Sequence, residues 1–275
     1  MDLRRGPPYL PCVPTPFVKM QGAGNDFVIL DARTAPVPLA GETIRRLCDR
    51  RLGIGCDQLF RLEPSERADL AIRIWNADGS ESGACGNGTR CVAALTGATR
   101  IETRAGILEV AGGGGEPMVV MGRPRFAWEE VPLAYAMDTA DMPVAWGELA
   151  RPMALSMGNP HLVFFVTDVE GVPLAELGPR IESDPLFPER VNVEVVEVRA
   201  RNRLRARVWE RGAGLTPACG SGACAAFAAA RRKRLVDGEA EVDMPGGTLR
   251  VAEASDGRIL LGGPVALVFR GEIEL

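Results

Sequence analysis

The sequence is poor in several residue types that whole classes of protein require. Among 275 residues it has one histidine and only two lysines, Lys19 and Lys233. It holds no apolar run of about 20 residues, the length that a membrane-spanning helix needs, and no Cys-x-x-Cys pair. With 32 basic against 36 acidic residues, the net charge is −4. We therefore expect no membrane span, no nucleic-acid partner and no dithiol redox motif.

The cysteines and the N-terminal residues suggest a compartment. Seven cysteines are an odd number in a chain of this length, which is typical of a reducing compartment rather than of a disulfide scaffold. The first 16 residues contain five prolines and no apolar stretch of signal-peptide length. We expect residues 1–16 to be a disordered N-terminal extension and the protein to be cytoplasmic.

Short apolar and β-branched runs predict many strands and few helices. The clearest strand candidates are residues 27–31, 69–75, 162–166 and 191–198. Residues 199–211 alternate arginine with apolar side chains, which fits a strand with one solvated face better than a nucleic-acid surface. Helices are predicted at residues 43–50 and at the Ala-rich residues 224–235, whose apolar start indicates burial. Residues 112–115 are four glycines and predict a loop tip, and residues 122–152 predict a connection between two units.

An internal repeat is the most informative feature of the sequence. The segment CGNGTRC begins at Cys85 and CGSGAC begins at Cys219, 134 residues later. The same offset aligns Gly24-Asn25 with Gly158-Asn159, and Arg73-Ile74-Trp75 with Arg207-Val208-Trp209. No gap is needed from residue 24 to residue 88. Several matches at one offset predict two homologous halves.

Each repeated cysteine is followed by a Gly-x-Gly segment and a helical run, so it should lie at a helix N-terminus. There the free N–H groups and the helix dipole favour a thiolate, and we expect the pKa of both thiols to be lowered. The same N–H groups can bind a carboxylate, and the glycines let a ligand approach the main chain. A pseudo-twofold arrangement would place both thiols beside one ligand.

Two opposed thiols suit the inversion of a carbon stereocentre. One base removes a proton from one face while the other group delivers a proton to the opposite face, so one must start charged and the other protonated. The helix N-termini would stabilise the charge that spreads into a substrate carboxylate. This scheme needs no pyridoxal-type lysine, although Lys19 as a Schiff-base residue stays open at this point.

Six ordered segments resemble those of the diaminopimelate epimerase family. They are KMQGAGNDFVILD (19–31), GIGCDQL (53–59), NADGSESGACGNGTRC (76–91), SMGNPHLV (156–163), VNVEVV (191–196) and ERGAGLTPACGSGACAA (210–226). The resemblance extends over residues 17–275. It implies a cofactor-independent isomerase that interconverts LL- and meso-2,6-diaminopimelate in lysine and peptidoglycan precursor synthesis. It also implies an α+β fold of two homologous domains, each a curled, mainly antiparallel sheet around a central helix.

The resemblance implies roles for residues at matching positions. Cys85 and Cys219 match the catalytic pair. The positions whose main-chain N–H groups would bind the reacting carboxylate are Gly86, Asn87, Gly220 and Ser221. The other implied substrate contacts are Asn25, Gln58, Asn76, Asn159, Asn192, Glu210 and Arg211. Arg211 suits the distal carboxylate because its planar guanidinium binds such a group bidentately.

Further implications concern thiol tuning and assembly. His161 and Glu210 match groups that tune the pKa of the thiols. The family's last strand returns to the first domain, which implies domains at residues 17–125, completed by 265–275, and at residues 126–264. A homodimer is also implied, although Phe269 stands where many members carry a tyrosine associated with dimerisation.

Three alternative functions are less consistent with the sequence. A zinc site formed by Cys85, Cys91, Cys219 and Cys224 is disfavoured because five residues separate the first pair, and zinc sites prefer closer spacing. A redox pair of Cys85 and Cys219 would resemble no dithiol motif, so we expect that bond only as an inactivating oxidation product. A proline or hydroxyproline racemase is disfavoured because such relatives commonly carry histidine where this chain has Asn87. We therefore expect no metal and no cofactor.

Overall fold

The computed structural model describes residues 14–111 and 116–275. Residues 1–13, which form most of the predicted N-terminal extension, and the predicted glycine loop at 112–115 lie outside these ranges. Strand β1 already begins at Thr15, two residues before the predicted start of the first domain.

The first half is a run of short strands interrupted by two helices. Its elements are β1 (Thr15–Gly22), β2 (Asn25–Asp31), α1 (Gly41–Cys48), β3 (Gln58–Glu63), β4 (Leu70–Asn76), β5 (Glu81–Ser82), α2 (Gly86–Thr96), β6 (Arg100–Thr103), β7 (Gly106–Ala111) and β8 (Met118–Gly122). The predicted strands at 27–31 and 69–75 correspond to β2 and β4. Helix α1 ends at Cys48, two residues earlier than predicted, because the Asp49 carboxylate accepts the N–H groups of Arg51 and Leu52 in a turn.

The second half repeats this order after a small hairpin in the predicted connection. The elements are β9 (Ala145–Trp146), β10 (Leu149–Ala150), β11 (Met153–Ser156), β12 (Pro160–Phe165), α3 (Leu174–Glu182), β13 (Asn192–Ala200), β14 (Arg203–Glu210), β15 (Gly214–Thr216), α4 (Gly220–Arg232), β16 (Glu239–Met244), β17 (Gly247–Glu253), β18 (Ile259–Gly262) and β19 (Val265–Ile273). The predicted strands at 162–166 and 191–198 and the Ala-rich helix are therefore present.

Strand registers repeat between the halves. Strands β2 and β3 run parallel with Phe27 opposite Gln58, while β12 and β13 run parallel with His161 opposite Asn192. The hairpins β3–β4 and β13–β14 also match at the same 134-residue offset. The α+β fold of two homologous domains predicted from the sequence is confirmed.

The two halves share one sheet of 17 strands among the described residues. Its order is β19–β1–β2–β3–β4–β6–β7–β8–β18–β17–β16–β14–β13–β12–β11, with β5 also beside β4 and β15 beside β14. The junction is the antiparallel pair β8–β18, in which Val119 lies opposite Leu261. These strands hold corresponding places in the two halves, so the junction lies close to the pseudo-twofold axis.

Each half has an apolar core on both faces of its strands. In β2, Phe27 and Ile29 pack in the cluster that includes α2, whereas Val28 and Leu30 pack in the cluster that includes α1. Alternate residues of a strand point to opposite faces, so burial on both faces produces the continuous apolar runs seen in the sequence. Helices α4 and α3 cover the two faces of the second half in the same way.

The arginine-rich strand β14 has the predicted alternation. Leu204, Ala206 and Val208 are buried. On the other face, Arg203 forms an ion pair with Asp243 and Arg205 with Glu170. These arginines are therefore partners of acidic groups on a solvated strand face.

Candidate active site

Cys85 is the N-cap of helix α2, as predicted. The backbone N–H of Gly88 donates to Cys85 Sγ over 3.4 Å, and the thiol donates to Asn25 Oδ1 over 3.9 Å. Gly88 is needed for close packing, because a Cβ at that position would lie 2.1 Å from Phe60 Cζ. The helix therefore approaches the strand beneath it closely enough to hold the sulfur beside Asn25.

Cys219 occupies the equivalent N-cap of helix α4. The Gly222 N–H donates to Cys219 Sγ over 3.3 Å, and Ser221 Oγ lies 3.5 Å from the same sulfur. Cys219 is buried, whereas Cys85 is partly exposed. The repeated sequence motif thus forms a repeated local structure around each thiol.

The two helix N-termini meet at Leu261, a residue of the junction strand β18. A Cβ built on Gly86 would lie 3.1 Å from Leu261 Cδ2, and one built on Gly220 would lie 2.8 Å from the same methyl carbon. The Gly220 position also lies 3.7 Å from Asn87 Oδ1. The residues that directly follow the two cysteines are therefore neighbours across the pseudo-twofold axis.

The predicted lowering of the thiol pKa values is wrong for this structure. Burial raises the pKa of Cys85 to about 11, and it raises the pKa of Cys219 well above its usual value. The Glu210 carboxylate also raises the pKa of both thiols, while the N–H groups of Gly88 and Gly222 act in the lowering direction. Desolvation outweighs the helix N-terminus here, so burial favours the protonated form of both thiols.

Arg90 is a buried cation close to both central helices. Its side chain is fully buried, and its guanidinium nitrogens have no hydrogen-bond partner within the described part of the chain. Burial lowers the pKa of Arg90, and its charge lowers the pKa of Cys85 and of its own repeat partner, Cys224. Arg90 therefore partly offsets the effect of burial on the Cys85 thiol.

A charged network orients Asn25 in the first half. Asn25 Nδ2 donates to Asp57 Oδ2 over 2.7 Å, which leaves Oδ1 facing Cys85. Arg50 binds the carboxylates of both Asp57 and Asp26. Asp26 also forms an ion pair with buried Lys19 at 2.6 Å, so the one lysine considered for a Schiff base is held by a carboxylate.

Gln58 and Asn76 lie opposite each other on β3 and β4. Gln58 Nε2 donates to Asn76 Oδ1 over 2.9 Å, and Asn76 Nδ2 donates to Ser80 Oγ. Gln58 Oε1 and Asn87 Oδ1 are buried acceptors that have no partner among the described residues. The first half therefore presents carbonyl oxygens that a donor, such as an ammonium group, can use.

A hydrogen-bonded chain leads to Cys219 in the second half. His161 Nδ1 lies 2.7 Å from Glu194 Oε1, and His161 Nε2 lies 2.9 Å from Asn159 Oδ1. Asn159 Nδ2 then donates to Ser221 Oγ over 3.4 Å. His161 and Glu194 are both fully buried, and burial raises the pKa of Glu194.

The remaining polar residues predicted for the site are Asn192, Glu210 and Arg211. Thr216 Oγ1 donates to the Glu210 carboxylate. Asn192 donates to the Pro160 carbonyl and accepts the Arg211 N–H, so its amide is committed to the backbone. Arg211 is exposed, and its Nη1 donates to the Glu189 carbonyl.

Glu194 and Asp57 contact predicted site residues, but they were not among the residues predicted from the sequence. Glu194 is the one charged residue within residues 191–196, VNVEVV, and a carboxylate in such an apolar run was the available signal. Asp57 directly precedes Gln58 in the GIGCDQL motif, but nothing in the sequence shows its contact with Asn25, 32 residues away. Both residues act on predicted site asparagines, Asp57 directly and Glu194 through His161.

Three further observations concern metal ligands, membrane spans and surface clefts. Within residues 14–111 and 116–275, no group of three or more His, Cys, Asp or Glu side chains is arranged to hold a metal ion. In the same ranges no helix has the length and apolar character that crossing a membrane requires. Two surface clefts, of about 580 and 680 Å³, contain none of the predicted site residues among those that line them.

Comparison with known proteins gives consistent matches. The chain matches the family model described as Diaminopimelate epimerase over residues 17–127 and 153–268. The Diaminopimelate epimerase of Rhizorhabdus wittichii is 56% identical, over 94% of this chain and 95% of that protein. The Diaminopimelate epimerase of Zymomonas mobilis is 52% identical, over 94% and 97%.

Solved structures share the fold at low sequence identity. A phenazine biosynthesis protein of the PhzF family from Bacillus anthracis has a TM-score of 0.65 at 18% identity, over 96% of this chain and 100% of that chain. A hydroxyproline epimerase from Agrobacterium vitis has a TM-score of 0.64 at 15% identity, over 94% and 91%.

The paired domains, the matched thiols and the sequence relatives together define the class of this protein, an isomerase of the epimerase type. The chain belongs to the diaminopimelate epimerase family. The resemblance derived from six sequence motifs is confirmed.

Proposed function

We propose that the protein interconverts LL- and meso-2,6-diaminopimelate by transferring protons between the substrate and two cysteines. The observation that carries the proposal is the meeting of two cysteine-capped helix N-termini at Leu261. Membership of the family supports the substrate. We infer a place in lysine and peptidoglycan precursor synthesis, in the cytoplasm, without a metal or organic cofactor.

In the proposed reaction, one cysteine begins as a thiolate and takes the proton from the α-carbon. The electron pair left on carbon delocalises into the carboxylate, and the opposite thiol then donates its proton to the other face of that carbon. The N–H groups of Gly86, Asn87, Gly220 and Ser221 would stabilise the carboxylate. Because burial raises the pKa of both thiols, forming the thiolate is an energetically demanding part of the cycle.

The second amino-acid head of the substrate would bind the polar groups at the edge of the site. We assign Arg211 to the distal carboxylate and the unpartnered carbonyl oxygen of Gln58 to an ammonium group. Asn25, Asn76 and Asn159 would supply further contacts. Asn192 would act by holding the backbone of Arg211, since both ends of its amide already bind main-chain groups.

Glu210 and His161 would adjust the thiols by different routes. Glu210 bears directly on the pKa of both thiols, in the raising direction. His161 contacts Glu194 and Asn159, and Asn159 in turn donates to Ser221. We therefore assign Glu210 to both sides of the site and His161 to the Cys219 side.

The assembly is also part of the proposal. We infer a first domain at residues 17–125, completed by 265–275, and a second domain at residues 126–264. The pairing of β19 with β1 supports the return of the C-terminal strand to the first domain. We further infer a homodimer with a second copy bound at β19. The exposed apolar residues of that strand, Leu267, Val268 and Phe269, support this inference.

Substitution of the cysteines tests the function. Cys85→Ala and Cys219→Ala should each abolish conversion of LL-diaminopimelate, followed by optical configuration without added cofactor. Cys91→Ala is the matched control, because its repeat partner is already Ala225. In deuterated water the product should carry solvent deuterium at the inverted carbon. Near-native turnover by either single variant would refute the scheme, as would conversion without incorporation of solvent deuterium. Turnover of L-proline in the same assay would instead support the alternative racemase.

A further inference from the structure

The two halves differ sharply beneath their central helices. Phe27 and Phe60 form an edge-to-face pair, with ring centroids 5.2 Å apart, under α2. At the repeat-equivalent positions, the second half has His161 and Glu194, whose side chains are 2.7 Å apart under α4. A Cβ at Gly222 would lie 3.1 Å from Glu194 Oε1. One half therefore holds an apolar pair where the other holds a titratable pair.

We propose that Glu194 is a positioning residue for the Cys219 side of the site and acts through His161 and Asn159. When one proton lies between Glu194 Oε1 and His161 Nδ1, either atom can carry it, and His161 Nε2 keeps its own hydrogen in both cases. Nε2–H then donates to Asn159 Oδ1. Burial raises the pKa of Glu194, which acts in favour of a proton held between these two atoms.

This donor determines how the Asn159 amide is oriented. With Oδ1 bound to His161, Nδ2 must point to Ser221 Oγ, which lies next to the Cys219 sulfur. The repeat-equivalent Asn25 has the opposite orientation, because the acceptor Asp57 binds its Nδ2 and its Oδ1 faces Cys85. The two halves thus present opposite ends of the same amide toward their thiols.

The charged surroundings of Glu194 come from three elements. Glu210 on β14 acts to raise its pKa, and His161 on β12 acts to lower it. Cys219 at the start of α4 is the third titratable group, and Glu194 acts to raise its pKa. The orientation of the His161 and Asn159 side chains depends on hydrogen bonds, whereas these charges act through space. A test must therefore separate the two effects.

Two substitutions at Glu194 make this separation. Glu194→Gln removes the charge, but its amide N–H can donate to His161 Nδ1 and preserve the Nε2 donor. Glu194→Leu removes both the charge and the hydrogen bond. Phe60→Leu is the matched control, since it disturbs the equivalent packing in the first half without breaking a hydrogen bond.

Alkylation of each cysteine by iodoacetamide across pH 6–10, followed by peptide mass spectrometry, is the main measurement. We expect Glu194→Leu to change the rate of Cys219 alkylation by about tenfold at a given pH. The pH profile of Cys85 alkylation should stay unchanged. Glu194→Gln should keep the wild-type Cys219 profile to within about threefold. Phe60→Leu should leave the pH profile of Cys219 unchanged, and thermal unfolding checks that every variant is folded.

The effect on turnover rests on the proposed function, in which Cys219 is one of two bases. There, Glu194→Leu should lower kcat about 10- to 100-fold with a smaller change in KM, the usual range for residues that orient a reacting group. A folded Glu194→Leu variant with the wild-type Cys219 profile would overturn the proposal, as would an equal effect of Gln and Leu. If the wild-type protein has no epimerase activity but Glu194→Leu changes the pH profile of Cys219 alkylation, the positioning role of Glu194 stands and the proposed function is rejected.

Discussion

At the scale of single residues, burial and hydrogen bonding act on the Cys85 thiol in opposite directions. The Gly88 N–H favours the thiolate, while loss of contact with water favours the thiol. The net effect raises the pKa to about 11, against roughly 8.5 for an unfolded chain. Between these two values the native protein binds the proton and the unfolded chain has released it.

This difference predicts a pH-dependent stability. Because the native state binds more protons, the free energy of unfolding should decrease as pH rises from about 8.5 towards 11, by up to about 1.4 kcal/mol per pH unit for this thiol. Cys85→Ala should show a correspondingly shallower decrease. Urea unfolding of both proteins at intervals between pH 8 and 10.5 measures the two slopes. Equal slopes would show that the Cys85 thiol has no raised pKa.

Arg211 allows a second prediction at this scale. Its guanidinium is exposed and makes one hydrogen bond, to the Glu189 carbonyl. If it binds the distal carboxylate, Arg211→Ala should raise KM for diaminopimelate about tenfold or more, with a smaller effect on kcat. Arg201→Ala, which removes an exposed arginine paired with Asp237, is the control. A loss confined to kcat would contradict this assignment.

At the scale of elements, close packing of the central helix on its sheet depends on Gly88. A Cβ there would overlap the Phe60 ring, and we expect Gly88→Ala to lower the free energy of unfolding by about 1–3 kcal/mol. Gly222→Ala, its repeat equivalent, should cost less because its nearest contacts are at 3.1 Å. Gly238→Ala is the control, since its Cβ would meet open space. Denaturant unfolding of the three variants ranks their free energies of unfolding. A Gly88→Ala variant as stable as the wild-type protein would show that the helix can shift.

The positions of these elements could largely be predicted from the sequence. Strands buried on both faces produce short apolar runs such as residues 27–31, and the 134-residue repeat located both cysteine-capped helices. The end of α1 could not be placed, because it depends on a side-chain turn at Asp49.

The properties of the site were harder to predict. The lowered thiol pKa was wrong because a helix N-terminus can be recognised in a sequence, whereas the burial of Cys219 depends on the whole fold. Glu194 was missed for a related reason, since its partner His161 is 33 residues away on a neighbouring strand. Contacts of this kind follow from strand register, which short motifs do not specify.

At the scale of the whole molecule, the continuous sheet has two end strands, β11 and β19, among the described residues. Strand β19 pairs with β1 along its length, and its residues 266–270 are exposed. Phe269 retains one edge-to-face contact, with Phe17, at a centroid distance of 5.9 Å. Exposed apolar edge strands tend to bind another chain, and the homodimer proposed above would cover this one.

The dimer is tested by placing a charge on that surface. Leu267 is 46% exposed, and Leu267→Asp would bring two carboxylates into a twofold-symmetric interface. We expect the dimer to dissociate with a Kd about 100-fold higher than that of the wild-type protein, because unpaired charges at an interface are costly. Leu52→Asp, at a residue that is 84% exposed and far from β19 in sequence, is the control for an added surface charge. Sedimentation velocity over a range of concentrations measures the dimer Kd of both variants. An unchanged Kd for Leu267→Asp would show that the interface does not involve this strand.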